Sequence, residues 1–533
     1  MVVASAAELD SVYKPILDRG DMLYTGRFDY FELSERGDHG RAIYSKLDSE
    51  PYYSSLTNSL RASIIPLFEV QLGYKETFPA DYSRYTYDAI GVLDTYQEFN
   101  LKYFRDFNIS GRLRQEPFEI WADYIRKKQK SDWNMALIPS PTNYFAYNRT
   151  RYNNVSGGIR YISASESGEE KSNLSILDRQ LMDKGQANVE IGLEFEEGKV
   201  RRLTDYNLRG TLKYNYFHYL KPHFTPSLLA RYGVCGNLEL EAGAYYSMPF
   251  RYKYVYEMYN RNGTSNLVVG DYRLRNIFYF PLKCRYRPYD SIQLTASSDF
   301  KIANQRLSYW QKTAANAVSN YPSKELTYYN LQPALKVDYL YSAGKKIDED
   351  KFSGSTRSLL KRSQFLAEVQ LKKDITSMDK NRSNGDQNLI DIYNLFDYPI
   401  DFFVAGTEYA NFLTGNYTRY AANVKDQDYY MIESSITYGI TDSLNAGAKA
   451  GYRSGSSHEN FTLHDMNSHR YKVSPYYYIG LLCNWRMTKN SMLSLSAHLV
   501  PEYTVQLWRT GDAKGFKAEN NYLETSLSVN ILY

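Results

Sequence analysis

The sequence predicts an all-β chain whose antiparallel strands cross a membrane and close into an up-and-down barrel. Three observations indicate this fold class: polar and apolar residues alternate along most of the chain, tyrosine is abundant, and connections are either very short or long and polar. Tyrosine accounts for 54 of the 533 residues, although the mean hydropathy is only −0.55. Membrane barrels need such amphipathic rings at both lipid–water interfaces, whereas soluble cores rarely hold so many phenols.

The alternation is clearest in residues 207–216, where apolar and polar residues occupy successive positions. Side chains of a strand point to opposite faces in turn, so this pattern predicts a strand with one apolar and one polar face. The pattern recurs in residues 188–196, 238–245, 273–283, 432–438 and 444–451. Soluble sandwiches also alternate, but segments such as residues 238–258 exceed the ~3–10 residues of strands in globular proteins.

The connections fall into two classes. Short turns are expected at residues 104–109, 232–238, 286–292, 438–444 and 486–491, where Gly, Asn and Asp tolerate tight hairpins. Long loops are expected at residues 165–185, 303–325, 374–387 and 454–470. This reading gives about 18 to 22 strands, within the known series. The count is least secure at residues 22–33, 130–137 and 388–396, and residues 343–360 are long where a short turn is expected.

Two segments resemble the outer-membrane β-barrels of Gram-negative bacteria. Residues 438–444 (YGITDSL) look like a periplasmic turn of that class. The last strand looks like its C-terminal assembly signal, with one face formed by Leu527, Val529, Ile531 and the terminal Tyr533. The resemblance implies the bacterial outer membrane, with short turns in the periplasm and long loops outside. It also implies contact with lipopolysaccharide and insertion by the barrel assembly machinery.

The chain is expected to form two parts. Residues 1–21 are an N-terminal segment, in which Ala4-Ser5-Ala6 fits a signal-peptide remnant followed by a short periplasmic lead. Residues 22–533 form the barrel. Because strand-like patterns begin near Met22, we expect no N-terminal plug domain, and a lumen that is open, narrowed by loops or filled by a partner protein. We find no internal repeat, which disfavours a β-propeller.

Composition and motifs exclude several functions. A net charge of +4 without a basic stripe argues against nucleic-acid binding. The chain contains no GxSxG, HExxH or Walker motif, so no enzyme and no cofactor is predicted. His498 shares a strand face with Ser494 and Ser496, a pattern that a polar wall explains equally well. No run of about 18 apolar residues is present, so no membrane-spanning helix is expected.

No metal site is predicted. The three cysteines are widely separated and form neither a disulfide framework nor a zinc motif. His458, His464 and His469 lie in one expected loop with acidic neighbours. Imidazole and carboxylate are common metal ligands, but this spacing matches no standard motif.

The candidate functional residues are charged side chains on the inner strand faces, where they would line a pore. They are Arg112, Arg114, Arg209, Lys213, Glu239, Glu241, Arg273, Arg275, Lys283, Arg285, Lys336, Asp338, Lys449 and Arg453. Such a wall would sort solutes by charge and size; alternatively, the charges only pair across strands. The run Arg273, Arg275, Lys283 and Arg285, extended by Arg251 and Lys253, is the best candidate for an anion-attracting strip.

Three functions fit these observations. The first is a porin-like channel that passes hydrophilic solutes across the outer membrane. The second is an export or assembly barrel for polysaccharide or lipid that works with a periplasmic or lipoprotein partner. The third is a soluble, secreted carbohydrate-binding β-protein, because tyrosine rings also stack on sugars.

Overall fold

The computed structural model describes most of the chain between Asp21 and Leu532. The described residues are 21–39, 43–47, 52–65, 67–87, 93–115, 117–137, 142–163, 181–207, 212–248, 250–259, 265–312, 318–320, 324–341, 360–380, 427–461, 468–488, 490–509 and 516–532. Within these ranges, no helix is long and apolar enough to cross a membrane.

All regular structure in the described ranges is β-strand, arranged as one antiparallel sheet of 24 segments. The segments are Met22–His39 (β1), Ile43–Leu47 (β2), Tyr52–Ile65 (β3), Phe68–Thr77 (β4), Ala80–Tyr87 (β5), Leu93–Gln115 (β6), Phe118–Leu137 (β7), Thr142–Ile162 (β8), Ala187–Asn207 (β9), Leu212–Cys235 (β10), Leu238–Ser247 (β11), Phe250–Tyr259 (β12), Ser265–Tyr289 (β13), Ile292–Lys312 (β14), Val318–Asn320 (β15), Lys324–Tyr341 (β16), Phe365–Lys380 (β17), Gln427–Thr441 (β18), Leu444–Arg453 (β19), Ser456–Phe461 (β20), Ser468–Val473 (β21), Tyr476–Thr488 (β22), Ser491–Arg509 (β23) and Phe516–Leu532 (β24).

The sheet closes on itself, because β24 pairs with β1 from Leu23↔Leu532 to His39↔Phe516. Some crossings consist of two consecutive segments: β2 with β3, β4 with β5, β11 with β12, β15 with β16, β19 with β20, and β21 with β22. The barrel therefore has 18 crossing strands, called barrel strands below. This is the lower end of the predicted range, and the count of 22 is wrong. Residues 130–137 continue β7, whereas residues 22–33 do form a strand, within β1; residues 388–396 lie outside the described ranges.

Several predicted connections are wrong because strands extend far beyond a membrane-crossing length. Residues 104–109 lie inside β6, where Asp106 and Asn108 alternate with the outward Phe107 and Ile109. Residues 303–325 mostly continue β14 and begin β16. β13 alone has 25 residues, whereas about 9–11 suffice to cross a bilayer.

The connections at residues 163–186 and 342–364 belong to the end of the barrel that carries the short turns, called the short-turn end. They join β8 to β9 and β16 to β17, whose neighbouring hairpins turn tightly at that end. The first was predicted among the long loops of the opposite end, which is wrong. Residues 164–180 and 342–359 lie outside the described ranges.

The barrel can be divided into three units of six barrel strands that share several backbone features. Each unit has six of the 18 barrel strands: β1–β8, β9–β16 and β17–β24. One backbone hydrogen bond outside the regular ladders occurs at the break within the third barrel strand of each unit: Phe78→Ser54, Met248→Phe224 and Ser454→Tyr430. Another occurs at every short-turn end, with a period of two strands: Ser63→Asp21, Arg114→Leu67, Ile162→Pro117, Gly233→Gln186, Arg287→Asn237, Leu340→Ser291, Gly439→Gln364, Arg486→Ser443 and Leu532→Asn490.

One irregularity of the ladders also recurs in every unit. The second turn position of each unit shifts register, at Ser63/Ile65, Gly233/Cys235 and Gly439/Thr441. Side chains at equivalent positions differ, so the repetition lies in hydrogen bonds and register that a sequence does not display directly.

Candidate functional site

The outer face of the barrel carries the apolar side chains. In β18, Tyr430, Ile432, Ile436 and Tyr438 are exposed on one face, while residues of the opposite parity are more covered. In β22, the same order appears as Tyr477, Ile479, Leu481 and Trp485. An aromatic residue thus stands at each end of an aliphatic stretch, separated by about the 9–11 residues that a membrane-crossing strand needs.

This pattern is that of a lipid-facing surface. A closed barrel has no edge strand with unpaired backbone N–H and C=O groups. The outer face of a membrane barrel has an apolar band between two aromatic girdles. The chain is therefore an outer-membrane β-barrel, as the sequence predicts. The opposite strand faces form the inner wall, which contains the candidate site.

The inner wall of the first unit carries a buried ion-pair chain at the short-turn end. Arg160 is central: its Nε and Nη2 lie 2.8 and 2.6 Å from Glu190 Oε2, and its Nη1 binds Glu119. Glu119 also accepts from Arg114, with Nη2 at 2.8 Å. These groups come from four neighbouring barrel strands, β6 to β9. The chain of alternating charges therefore joins the first unit to the second.

A second chain lies in the second unit. Glu239 Oε2 accepts from Arg231 Nη2 at 2.5 Å, and Glu239 Oε1 accepts from Arg285 Nη1 at 2.6 Å. Arg285 Nη1 is also 2.9 Å from Glu241 Oε2. The backbone N–H of Met182 donates to Glu239 Oε2 at 2.9 Å, which ties the segment before β9 to this chain. These buried charges are tolerated because each of them is paired with an opposite charge and hydrogen-bonded.

Smaller pairs continue this zone around the wall. Arg61 Nε lies 2.5 Å from Glu69 Oε1 across the first tight turn of the chain. Lys336 Nζ is 3.0 Å from both Asp338 Oδ1 and Glu368 Oε1 at the junction of the second and third units.

The inner wall of the third unit is aromatic. The Arg453 guanidinium lies 3.9 Å from the centre of the Tyr429 ring and 5.7 Å from that of Tyr476. The Tyr476 and Tyr503 rings pack at 5.4 Å. Stacking on ring faces holds a cation in a partly desolvated position.

A second layer lies next to it, closer to the short-turn end. The Tyr478 hydroxyl donates to Glu433 Oε2 at 2.8 Å, and Lys449 Nζ is 3.0 Å from the same oxygen. The ring of His498, which the sequence places near two serines, packs edge-on against Tyr478 at 5.0 Å. Gly451 is needed here, because a Cβ atom at this position would overlap the Tyr478 ring.

The structure places most candidate residues on the inner wall. Those with described side chains are Arg112, Arg114, Glu239, Glu241, Lys283, Arg285, Lys336, Asp338, Lys449 and Arg453. Lys213, Arg273 and Arg275 lie in parts of β10 and β13 whose side chains are not described, and Arg209 lies outside the described residues. The suggested anion-attracting strip is interrupted: β13 shifts register at Arg275, and Arg285 is bound by two carboxylates. That these residues line a pore stays a prediction.

Other predicted features fall in or beside the described ranges. His464 and Tyr533 lie outside them, and His458 and His469 belong to the hairpin β20–β21. No group of three metal-ligating side chains occurs among the described residues. Leu527, Val529 and Ile531 alternate with the inward Ser526, Ser528 and Asn530 in β24.

Sequence reasoning missed Arg61, Glu69, Glu119, Arg160 and Arg231. All five have inward parity and lie within a few residues of the short-turn end. A search for charged residues of one parity next to each strand end at the short turns would have found them. The pairing between strands could not be read in the same way, because it depends on register.

Comparisons with known proteins reach only solved structures: no family profile and no curated protein matches the chain. The chain is similar to the Pseudomonas putida toluene transporter TodX, with 10% identity, a TM-score of 0.30, and coverage of 99% of this chain and 93% of that one. For the ferric yersiniabactin uptake receptor FyuA from Yersinia pestis, the identity is 9% and the TM-score 0.46, and the match covers 98% of this chain and 81% of that one. For the siderophore receptor PiuA from Acinetobacter baumannii, the identity is 9% and the TM-score 0.41, and the match covers 98% of this chain and 82% of that one. At these values the likeness says nothing about the function of this chain.

The prediction of a barrel without an N-terminal plug domain is wrong. Siderophore receptors among the matched structures belong to a class of outer-membrane barrel that has a plug. The prediction counted only the residues before Met22 and left out long connections within the chain. Residues 1–20, 164–180, 342–359 and 381–426 lie outside the described ranges.

Proposed function

We propose that this outer-membrane barrel transports solutes, and that it does so as a channel for hydrophilic molecules. The observation that carries the proposal is the contrast between its two strand faces. Charged and hydrogen-bonding groups are concentrated on the inner wall, whereas the outer face is apolar. A barrel of this size encloses a lumen wide enough for water and small solutes.

The paired charges suggest how such a channel would select. Arg160, Arg231 and Arg285 are each balanced by carboxylates. Because these fields largely cancel, we expect weak selection by charge and stronger selection by size.

The test is conductance in a planar bilayer. Protein purified from the membrane fraction, and shown to be folded by a faster-running unheated band, should give discrete conductance steps with a small reversal potential in a salt gradient. Glu239→Gln should move the reversal potential towards anions, while Glu76→Gln, outside the inner wall, should not. Absence of steps from folded protein would contradict the proposal.

The second candidate is an export or assembly barrel for polysaccharide or lipid with a periplasmic or lipoprotein partner. The aromatic inner wall around Tyr429, Tyr476 and Tyr503 favours it, since tyrosine rings stack on sugar rings. Recovery of a stoichiometric partner from gently solubilised membranes, without conductance, would support this alternative. The third candidate, a soluble secreted protein, does not fit the exposed apolar band.

A further inference from the structure

Two turns at the short-turn end fold back into the barrel. Residues 181–186 precede β9, and residues 360–364 precede β17; they are called the docked turns below. Each reverses the chain through a left-handed residue, Gly185 with φ of 81° and Ser363 with φ of 71°. The two turns occupy equivalent places in the second and third units.

Each docked turn lies against a glycine of the inner wall. Gly233 and Gly439 are buried, while the preceding Tyr232 and Tyr438 are exposed on the lipid-facing side. A Cβ atom on Gly233 would overlap the Asp183 carbonyl oxygen and come within 2.8 Å of that of Met182. A Cβ atom on Gly439 would overlap the Lys361 carbonyl oxygen in the same way. The turns therefore lie inside the mouth of the barrel.

The same hydrogen bonds hold both turns. Gly185 N–H donates to Gly233 O at 2.8 Å, and Gly233 N–H donates to Gln186 O at 3.0 Å. The equivalent bonds are Ser363→Gly439 at 2.9 Å and Gly439→Gln364 at 2.9 Å.

A glutamine side chain closes each turn internally. Gln186 Oε1 accepts from the Asp183 N–H at 2.9 Å, and Gln364 Oε1 accepts from the Lys361 N–H at 2.8 Å. Two unrelated stretches of sequence thus use one geometry, with glutamine and glycine in the same roles. The shared geometry indicates a shared structural role.

Side-chain contacts anchor each turn to its surroundings. Glu239 of the ion-pair chain accepts from the Met182 N–H, and Asp442 accepts from the Arg362 N–H at 2.9 Å. Leu360 is buried in a cluster with Leu340 and Leu366. The turns are therefore part of the packed wall.

A similar stretch of sequence precedes the first unit. Residues 17–21 (LDRGD) match residues 182–186 (MDKGQ) and 360–364 (LKRSQ) by residue type at each position: apolar, charged, basic, Gly or Ser, and Asp or Gln. Ser63 N–H donates to Asp21 O at 3.1 Å, the bond equivalent to those of Gly233 and Gly439. Residues 17–20 lie outside the described ranges.

We infer that the docked turns form a collar inside the short-turn mouth, and that this collar limits the size of the solutes that pass. The inference rests on the channel function proposed above. Backbone that folds inward reduces the bore below that set by the 18 barrel strands. Because the two turns begin equivalent units, they are spaced by one third of the circumference.

The test is the double substitution Gly233→Ala and Gly439→Ala, read out in two ways. Trypsin cleavage after Lys184 and Arg362, mapped by mass spectrometry on folded protein, should become about tenfold faster, which corresponds to ~1.4 kcal/mol in the docking equilibrium. Single-channel conductance and the largest permeant sugar should both increase. Gly111→Ala and Gly236→Ala are the matched controls, because a Cβ atom there meets open space.

The outcomes are distinguishable. Faster cleavage with unchanged conductance would overturn the collar and leave the channel function intact, as would unchanged cleavage in a folded variant. If the folded wild-type protein never conducts, the proposed channel function and the size limit are both wrong. The rate of trypsin cleavage would still measure whether the turns are docked. If the alanine variants do not fold, Gln186→Ala with Gln364→Ala opens the turns without crowding the wall, and the same two readouts apply.

Discussion

The buried charge of Arg160 should be essential for stability. Its side chain is 2% exposed and binds Glu119 and Glu190 from two neighbouring strands. Arg160→Met keeps a long apolar stem but removes the cation, which leaves both carboxylates without their shared partner. Removing one member of a buried ion pair costs about 3–5 kcal/mol. Because Glu119 retains Arg114, we expect the lower part of that range.

The assay is urea titration of the barrel in detergent or lipid, with the folded fraction read from the gel shift on boiling. Arg105→Met is the matched control. Arg105 pairs with Glu76 at 2.8 Å, but the two side chains are 50% and 32% exposed. Exposed pairs contribute only about 0–1 kcal/mol.

Two further results would test the physical reasoning. Combining Arg160→Met with Glu190→Gln should recover much of the lost stability, because Glu119 keeps Arg114 and Glu190 no longer carries a buried charge. Equal free energies of unfolding for Arg160→Met and Arg105→Met would refute the view that this chain of charges is desolvated.

Three other substitutions follow from the same structure, each measured by the free energy of unfolding. Ile191→Lys, at a lipid-facing residue that is 65% exposed, should cost about 2–4 kcal/mol near the bilayer centre, and no loss would contradict the lipid-facing assignment. Gly451→Ala should cost about 1–3 kcal/mol by displacing the Tyr478 ring, and an unchanged value would mean that the ring moves freely. Thr25→Glu and Asn530→Arg should each destabilise, while the double variant recovers about 0.5–3 kcal/mol, and strict additivity would argue against their contact.

The barrel class could be predicted because its signal is local. Residues such as Tyr430, Ile432 and Ile436 follow a period of two, and parity alone separates the lipid face from the inner wall. Turn residues such as Asp442 mark tight hairpins in the same local way.

Strand ends and charge partners could not be predicted in this way. Asp106 and Asn108 look like turn residues, yet they are polar positions within a long strand, because polar side chains are favourable on the inner wall. The pairing of Arg160 with Glu119 joins residues 41 positions apart, and only the register brings them together.

The repetition of the three units was invisible for a related reason. Equivalent positions share a backbone bond and not a side chain: Ser63, Gly233 and Gly439 all donate to the residue that begins their unit. A backbone bond puts little constraint on residue type, so sequences can diverge while the geometry persists. Exceptions are the position of Arg114, Arg287 and Arg486, which is arginine in every unit, and the motif shared by residues 17–21, 182–186 and 360–364.

The junctions between units show what this divergence can achieve. One pair of equivalent positions is filled in three ways: Arg160 with Glu190, Asp338 with Glu368, and Asn530 with Thr25. The first pair neutralises itself, the second needs Lys336 to bridge its two carboxylates, and the third is uncharged.

Some exchanges of the junctions would be unfavourable. Arg160 placed against Thr25 would keep Glu119 but lose Glu190, and Glu190 placed against Asn530 would lose its cation, which leaves a buried carboxylate without its arginine. Since all three junctions share one backbone register, hydrogen bonds of the strands cannot tell them apart. The side-chain pairs do distinguish the junctions, because a mismatched pair destabilises the junction. Similar interfaces gain specificity in this way. These pairs therefore add side-chain specificity to an order of units that the covalent connections between consecutive units already set.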